Sequence, residues 1–304
     1  MEMKISELPQ HIIMPREAGL MAPATITMYK FVIQQLTGYF GADKDLETMT
    51  LEEIKNYLLS KKTWKRTSVL RHVVYIQTIF SDLEKQKLLS NNVMRKIKVP
   101  KQEETPIELM SAEELEALDT ASMSPVIDER TRVLYWIIRE TGLRSTEVAT
   151  ILLADVDMKE RFIYIRRSKN KITKTVPITE STCKLIQRYL ASQRQTSLYL
   201  FPNRLSRVWS KPVGRGAVYT ALKDIYDKAF NVRNWKHRKG PHLLRHHCAT
   251  EWVEMEGSLI GLQYLMGWKS LKMCERYVHA NKNLMRKHFD LVQLRKKEAR
   301  NEKK

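Results

Sequence analysis

Side chains that can act together on an anion lie close to one another near the end of the chain. His242 stands three residues before Arg245, so on a helix both side chains share a face and can point at one small anionic group. Tyr277 follows after a glycine break at Gly267 and a short helical run. A phenol is an unusual group to bring to a cationic pocket unless it is to be ionised. Tyr277 is therefore a candidate nucleophile.

Two earlier segments carry side chains suited to the same anion. In TGLRSTE, Arg144 follows a glycine turn at a helix start, and Glu147 lies three residues on, where it can hold the guanidinium. Lys169 lies in the turn between the β-rich runs RFIYIRR and TKTVPI, so its ammonium sits at the tip of a predicted hairpin. Lys171 and Lys174 are neighbours, and either could supply this ammonium group instead.

The histidines near Arg245 also raise the alternative of a metal site. His242 and His246 have the i, i+4 spacing that suits zinc, and His247 and Cys248 follow directly. No separate Cys/His pair completes four ligands, and the arginine between the histidines would oppose a cation. The sequence predicts no metal, and the lack of a GxxxxGK loop gives no sign of a nucleotide cofactor.

The composition is typical of a protein that binds a polyanion. The 304 residues include 53 lysines and arginines against 34 acidic residues, giving a net charge of +19 and an isoelectric point near 9.8. Three scattered cysteines indicate a reducing compartment. The sequence contains neither a signal-peptide pattern nor an apolar run of the ~20 residues that a membrane span needs. We therefore expect a cytoplasmic protein without membrane contact.

The chain divides into segments with different patterns. Residues 1–22 show no sustained period and predict an irregular lead, whereas apolar spacing and a Thr50–Glu53 capping box predict three or four helices over 23–103. The stretch VPKQEETPIELM has the composition of a linker, and a capping box from Ser111 starts the next helix. Residues 104–282 form the predicted second domain, and 283–304 a C-terminal helix with a basic tail.

The polar faces of the first helical domain are rich in basic residues. Trp64 and Tyr75 lie among them, and such interleaving favours contact with a nucleic-acid backbone over a merely solvated surface. The predicted DNA-binding residues are Lys61, Lys62, Lys65, Arg66 and Arg71.

The second domain is predicted to be mostly helical around one hairpin. Residues 129–153 indicate a buried helix, a turn at Gly142 and a second helix, and helices return over 178–192 and 216–230. The predicted fold class is therefore mainly α with a small β-sheet, in two domains.

Five motifs in order make the chain resemble the tyrosine recombinases of the phage-integrase and Xer-like family. They are TGLRSTE with Arg144, the hairpin with Lys169, HLLRH with His242 and Arg245, LMGWKS with Trp268, and ERYVH with Tyr277. The resemblance is close over residues 111–280 and looser over the helical domain before them. Trp268 stands where the family more often has histidine.

The resemblance implies a two-domain, C-shaped clamp around duplex DNA and a site-specific recombinase without cofactor. Tyr277 would attack a phosphodiester and form a 3′-phosphotyrosyl intermediate, while Arg144 and Arg245 bind the phosphate and Lys169 protonates the leaving 5′-oxygen. His242 would be a base or a donor to the phosphate. Trp268 would supply a packing wall and an indole N–H. The arginines stay charged at any working pH, and we expect a cationic site to lower the cost of ionising the phenol.

The tail behind Tyr277 carries apolar residues at near-helical spacing, among them Leu284, Met285, Phe289 and Val292. In the family such a helix docks on a neighbouring protomer, which implies a homo-tetramer on paired sites through exchange of C-terminal helices. A helix folded back on its own domain is the alternative.

Other functions remain open from the sequence. A catalytically silent DNA-binding protein should have lost part of the set that is intact here. A type IB topoisomerase or telomere resolvase shares the chemistry but usually carries larger extra domains. Within the recombinases, the short lead favours a resolvase or Xer-like enzyme over a phage or mobile-element integrase.

Overall fold

The computed structural model describes most of the chain, and its contacts divide the chain into two units, Met1–Glu104 and Thr105–Lys304. The residues described are 2–100, 107, 109–166, 173–193, 197–203, 211–230, 240–280, 286 and 289–295. No helix in these ranges is both long and apolar enough to cross a bilayer.

The first unit is helical, as predicted. A one-turn 3-10 helix, Ile5–Glu7, and a π-helical turn, Pro9–Ile13, precede its α-helices, and another 3-10 helix, Val93–Lys96, follows them. The α-helices are α1 (Met14–Ala18), α2 (Pro23–Phe40), α3 (Leu51–Leu59) and α4 (Arg66–Lys85). Their apolar faces form one core with Ile33, Leu36, Ile54, Ile76 and Phe80 at its centre.

The first 22 residues differ from the irregular lead expected from their sequence. Ile5, Leu8 and Ile12 are fully buried in the core of the first unit. Pro9 and Pro15 stand in the first turns of short helices, where the missing N–H of a proline costs nothing, so they start helices rather than break them. Ile5, Leu8 and Ile12 are three and four residues apart, which is the spacing of a helix, but the prolines made this pattern hard to recognise in the sequence.

Two predicted capping boxes are present. The Thr50 hydroxyl accepts the Glu53 N–H at 3.2 Å, and the Glu53 carboxylate accepts the Thr50 N–H at 2.8 Å. Ser111 and Glu114 exchange the same two bonds at 3.2 and 2.8 Å. These bonds begin α3 in the first unit and the first helix of the second unit.

The second unit packs helices around the long buried helix α6. Its helices are α5 (Ala112–Ser122), α6 (Glu129–Thr141), α7 (Ser145–Ala149), α8 (Glu180–Ala191), α9 (Arg215–Ala229), α10 (Pro241–Glu254), α11 (Leu259–Met266) and α12 (Lys272–Ala280). Helix α6 contacts α8, α9 and α10, and Arg139 on α6 donates two hydrogen bonds to Glu251 on α10 at 2.6 and 2.8 Å.

A three-stranded antiparallel sheet lies against these helices in the order β1 (Val156–Asp157), β2 (Phe162–Ile165), β3 (Lys174–Pro177). The predicted hairpin is confirmed as β2 and β3, with Ile165 opposite Lys174. The turn that carries Lys169 and Lys171 lies outside the described residues.

The predicted turn at Gly142 is confirmed and is held tightly. Gly142 caps α6 in the left-handed conformation, with φ of 61°. A Cβ atom there would lie 2.6 Å from the terminal methyl of Met266. The turn therefore brings the start of α7, with Arg144, against the end of α11.

Candidate active site

Arg144 is fixed at the start of α7 by Glu147. Its Nη1 donates to Glu147 Oε1 at 2.8 Å, and its backbone N–H donates to Glu147 Oε2 at 2.9 Å. Burial raises the pKa of the Glu147 carboxyl, but the charges of Lys174 and Arg144 outweigh it and hold that pKa below its usual value. Glu147 is only 1% exposed, so the expected orienting contact is present and Glu147 is not a surface residue.

Arg245 reaches the same place from α10. Its Nη2 donates to the Met266 carbonyl at 2.7 Å and its Nη1 to the Gly142 carbonyl. Arg144 Nη1 lies 3.5 Å from the same Met266 oxygen, so the two guanidiniums meet at one peptide group. Burial, with Arg144 nearby, lowers the pKa of Arg245 to about 10, which leaves it charged at neutral pH.

Lys174 is a third cation in this cluster. It is fully buried on β3, and its Nζ donates to the Leu265 carbonyl at 2.6 Å and lies 3.5 Å from Glu147 Oε2. Burial lowers the pKa of Lys174 to about 8, while Glu147 raises it. From the sequence alone, Lys174 is only a neighbour that could replace Lys169. Side chains alternate between the two faces of a strand, so Lys174, two residues before the buried Val176, lies on the same inward face. That spacing could have predicted its burial.

The end of α11 holds all three cations. A helix leaves its last carbonyl groups without partners inside the helix, and these groups attract positive charge. Here the carbonyls of Leu265 and Met266 accept from Lys174, Arg245 and Arg144. Gly267 follows in the left-handed conformation, with φ of 60°, and ends the helix there.

Trp268 and Tyr277 form an aromatic stack beside the arginines. Their ring centroids are 5.3 Å apart with an interplanar angle of 21°, and the Arg245 guanidinium carbon lies 5.7 Å from the centre of the Trp268 ring. Trp268 thus provides a packing wall that contacts both the Tyr277 ring and Arg245.

Tyr277 is buried, with 2% of its surface exposed, and its hydroxyl lies 2.8 Å from His246 Nδ1. Burial raises its pKa, while Arg276 and Arg245 act in the opposite direction. The arginines thus lower the cost of ionising the phenol, as the sequence predicts, but the loss of water around the phenol outweighs their attraction and the net pKa is raised.

The histidines of α10 point in different directions. His246 faces Tyr277, whereas His247 Nε2 accepts the Met110 N–H at 2.6 Å. His242 is exposed on the first turn of the same helix. Burial, together with Arg276, His242, Arg245 and His247, lowers the pKa of His246 to about 4, so its ring is neutral. From the sequence alone, the spacing of His246 from His242 suggests only a metal ligand and gives no sign of a contact with Tyr277.

The structure therefore brings together Arg144, Glu147, Arg245, Trp268 and Tyr277, which come from separate parts of the sequence. His242 is on the helix that carries Arg245 and is exposed. Lys169 lies outside the described residues.

The basic residues of the first unit lie around the end of α3 and the start of α4. Lys61 contacts protein groups: its Nζ donates to Gln35 at 2.8 Å and lies 4.8 Å above the Tyr57 ring. The exposed residues of the set are Lys62, Lys65, Arg66 and Arg71. Beside them is an open groove of about 330 Å³ lined by Met28, Phe31, Trp64, Ser68, Arg71 and His72.

Residues 286 and 289–295 are helical, and their apolar side chains are exposed. Phe289 is 61%, Val292 49% and Leu294 54% exposed. Leu284 and Met285 fall outside the described ranges.

Comparison with known proteins places this site in a family. The model of the phage integrase family matches residues 108–283, which is more than half of the chain. Tyrosine recombinase XerC of Lacticaseibacillus casei is 25% identical over 264 residues, covering 85% of this chain and 88% of that protein. Tyrosine recombinase XerD of Halalkalibacterium halodurans is 26% identical over 274 residues, covering 86% of this chain and 89% of that protein.

A solved structure has the same fold. The integrase of transposon Tn1549, in complex with a circular intermediate DNA, superposes with a TM-score of 0.74 at 16% sequence identity, over 95% of this chain and 99% of that chain.

Proposed function

The chain belongs to the phage integrase family, and we propose that Tyr277 is the nucleophile with which it cleaves DNA. It is a site-specific recombinase that cleaves and rejoins DNA strands. One observation carries the proposal: Tyr277, from the last motif, is buried in the cluster that holds Arg144 and Arg245, from the first and third motifs. A phenol and two guanidiniums at one place are suited to a phosphodiester.

The proposed reaction is a transfer of the phosphate between two oxygens. The Tyr277 oxygen bonds to phosphorus, and the bond from phosphorus to the 5′-oxygen breaks, leaving a 3′-phosphotyrosyl ester and a 5′-hydroxyl. Arg144 and Arg245 donate to the non-bridging oxygens, where negative charge develops. Lys169 protonates the leaving oxygen. A 5′-hydroxyl from the partner strand then attacks the ester, its proton returns to Lys169, and the tyrosine oxygen leaves as the phenol is restored. The bond energy is conserved, so no nucleotide cofactor is needed.

His242 and Trp268 have supporting roles in this proposal. His242, exposed at the start of α10, donates to the phosphate beside Arg245. Trp268 holds the Tyr277 ring by stacking and also contacts the Arg245 guanidinium.

The partner is double-stranded DNA, and the Tn1549 integrase structure is likewise a complex with DNA, a circular intermediate. We propose that the two units close around it as a clamp and that Lys62, Lys65, Arg66 and Arg71 contact its backbone, which their exposure allows. We also propose a tetramer on paired sites, in which the apolar face around Phe289 and Val292 docks on a neighbouring protomer. The exposure of that face supports an occupant outside its own chain. The likeness to XerC and XerD favours an Xer-like reaction.

Capture of a covalent intermediate tests the nucleophile. The protein is incubated with nicked duplexes from a pool of random sequences, so that the leaving fragment diffuses away and the adduct accumulates. After denaturation, adducts are digested and the modified peptide is identified. We expect the modification on Tyr277 and none in Tyr277→Phe, which should still bind DNA. Binding by the unchanged protein without any adduct would refute the proposal and favour a silent DNA-binding protein.

A substrate whose leaving group needs no acid tests whether Lys169 protonates the leaving oxygen. Alanine variants at Lys169, Lys171 and Lys174 are compared on a substrate in which sulfur replaces the 5′-oxygen. We expect Lys169→Ala to cleave the normal substrate at least about 100-fold more slowly and to recover with sulfur. Recovery confined to Lys171→Ala or Lys174→Ala would assign the acid to that residue instead.

A further inference from the structure

We infer that His246 takes the phenolic proton of Tyr277 during strand cleavage and returns it during rejoining. This inference rests on the proposed function, since it needs Tyr277 to be the nucleophile. The Tyr277 proton then has a destination within the protein, and His242 remains available to donate to the phosphate.

The geometry between the two side chains is that of proton transfer. His246 Nδ1 lies 2.8 Å from the Tyr277 hydroxyl, and the ring planes are tilted by 34° with centroids 5.9 Å apart. Tyr277 is 2% exposed, so little water can compete for its proton. The stack with Trp268 fixes the phenol ring, and α10, which carries His246, also carries Arg245. The base is therefore held on the helix that provides one of the phosphate ligands.

The groups around His246 keep its imidazole able to accept a proton. On its own helix these are His242, Arg245 and His247, and on α12 Arg276. Burial above all, and then these groups, lower the pKa of His246 to about 4, so the imidazole is neutral and has a free lone pair on one nitrogen. An entering phosphate brings negative charge among the same arginines. That charge offsets their effect on the imidazole and makes it a better base when it is needed.

The proton moves together with the bonds to phosphorus. As the Tyr277 oxygen bonds to phosphorus, its O–H bond becomes strongly acidic and the proton passes to Nδ1, giving an imidazolium. In rejoining, the 5′-hydroxyl attacks phosphorus and gives its proton back to the lysine that protonated the leaving oxygen. The bond from phosphorus to the tyrosine oxygen breaks, and the imidazolium returns its proton to the phenol. Each cycle leaves His246 neutral again.

The same contact would also be present if His246 only positioned the phenol. His246→Asn separates the two roles. An asparagine oxygen lies near the place of Nδ1 and can accept the hydrogen bond, but it cannot take up the proton. His246→Ala removes both functions.

The decisive measurement varies the acidity of the phenol. Fluorinated tyrosine, which loses its proton more readily, is placed at position 277, and single-turnover cleavage is measured on a nicked duplex selected by adduct formation. We expect His246→Asn and His246→Ala to cleave at least about 100-fold more slowly than the unchanged protein. Fluorination should raise the cleavage rate of both variants about tenfold or more. It should alter the cleavage rate of the unchanged protein by no more than about threefold.

His247→Gln is the matched control, because His247 is adjacent on the same helix and accepts a backbone N–H away from the site. It should cleave within about twofold of the unchanged protein and respond to fluorination as that protein does. The inference is overturned if His246→Asn keeps most of the rate, or if fluorination has the same effect in every variant. DNA binding and circular dichroism identify any variant that fails to fold. If the unchanged protein forms no adduct at Tyr277, the proposed function fails first and separately.

Discussion

Replacing Lys174 by methionine should change how the stability of the second unit depends on pH. Lys174 is fully buried, 3.5 Å from Glu147 and bonded to the Leu265 carbonyl. Methionine has a similar length and can fill the same space without a charge. Glu147 keeps its hydrogen bonds to Arg144 in this variant, so the carboxylate retains a cationic partner.

The magnitude follows from the lysine pKa. Burial lowers it from 10.5 to about 8, and each unit of pKa is worth about 1.36 kcal/mol, so keeping Lys174 charged in the folded protein costs about 3 kcal/mol. Between these two values the unfolded chain carries a proton that the folded protein has released. The free energy of unfolding therefore rises with pH between these two values. Below them, Lys174 is charged in both states and contributes no pH dependence. From about pH 7 to about pH 9.5 the gain is about 2 kcal/mol.

The assay is urea unfolding of the unchanged protein and Lys174→Met at several pH values, with hydrogen exchange used to report the two units separately. The difference between the proteins is the quantity of interest, because other groups that titrate in this range are common to both. Added salt is needed near the isoelectric point of 9.8, where the net charge is lost. The reasoning is refuted if the difference stays constant from about pH 7 to about pH 9.5, or if it changes in favour of the variant.

Three further changes have definite expected results. Trp268→Leu loses the stack with Tyr277 and the contact with Arg245, so single-turnover cleavage should slow about tenfold while DNA binding in a gel-shift assay stays unchanged. Gly142→Ala puts a Cβ at a φ of 61° against a side chain 2.6 Å away, and should lower the free energy of unfolding in urea by about 2 kcal/mol or more. Lys65→Ala should weaken DNA binding equally for all sequences and reduce the slope of log affinity against log salt by about 1.

Much of the fold was predictable because local rules agree with the packing. The Thr50 and Ser111 capping boxes, the Gly142 turn and the β2–β3 hairpin each have a short-range signal, and each is present. The first 22 residues were misjudged because Pro9 and Pro15 read as breaks. A proline in the first turn of a helix is favourable, and only the buried positions around it show which case applies.

The arginines and the tyrosine of the site could be predicted, because they lie in short motifs that occur in order along the sequence. The contacts of His246 and Lys174 were not, because they depend on which elements pack together. His246 meets Tyr277 only through the packing of α10 on α12, and Lys174 meets Glu147 only through the packing of β3 near α7 and α11. No spacing along the chain encodes either distance. The net rise of the Tyr277 pKa could not be predicted for the same reason, since burial is a property of the folded unit.

The end of α11 holds its cations with peptide dipoles as well as with the Glu147 carboxylate. A carbonyl oxygen can hold a guanidinium or an ammonium in place without cancelling its charge, whereas a carboxylate would neutralise it. In the described contacts Arg144, Lys174 and Arg245 share Glu147 as their one carboxylate, so the cluster keeps an excess of two positive charges near neutral pH. A phosphodiester gains a second negative charge as it becomes five-coordinate. The electrostatic complement of that state is thus completed when the protein folds, and DNA binding need not assemble it.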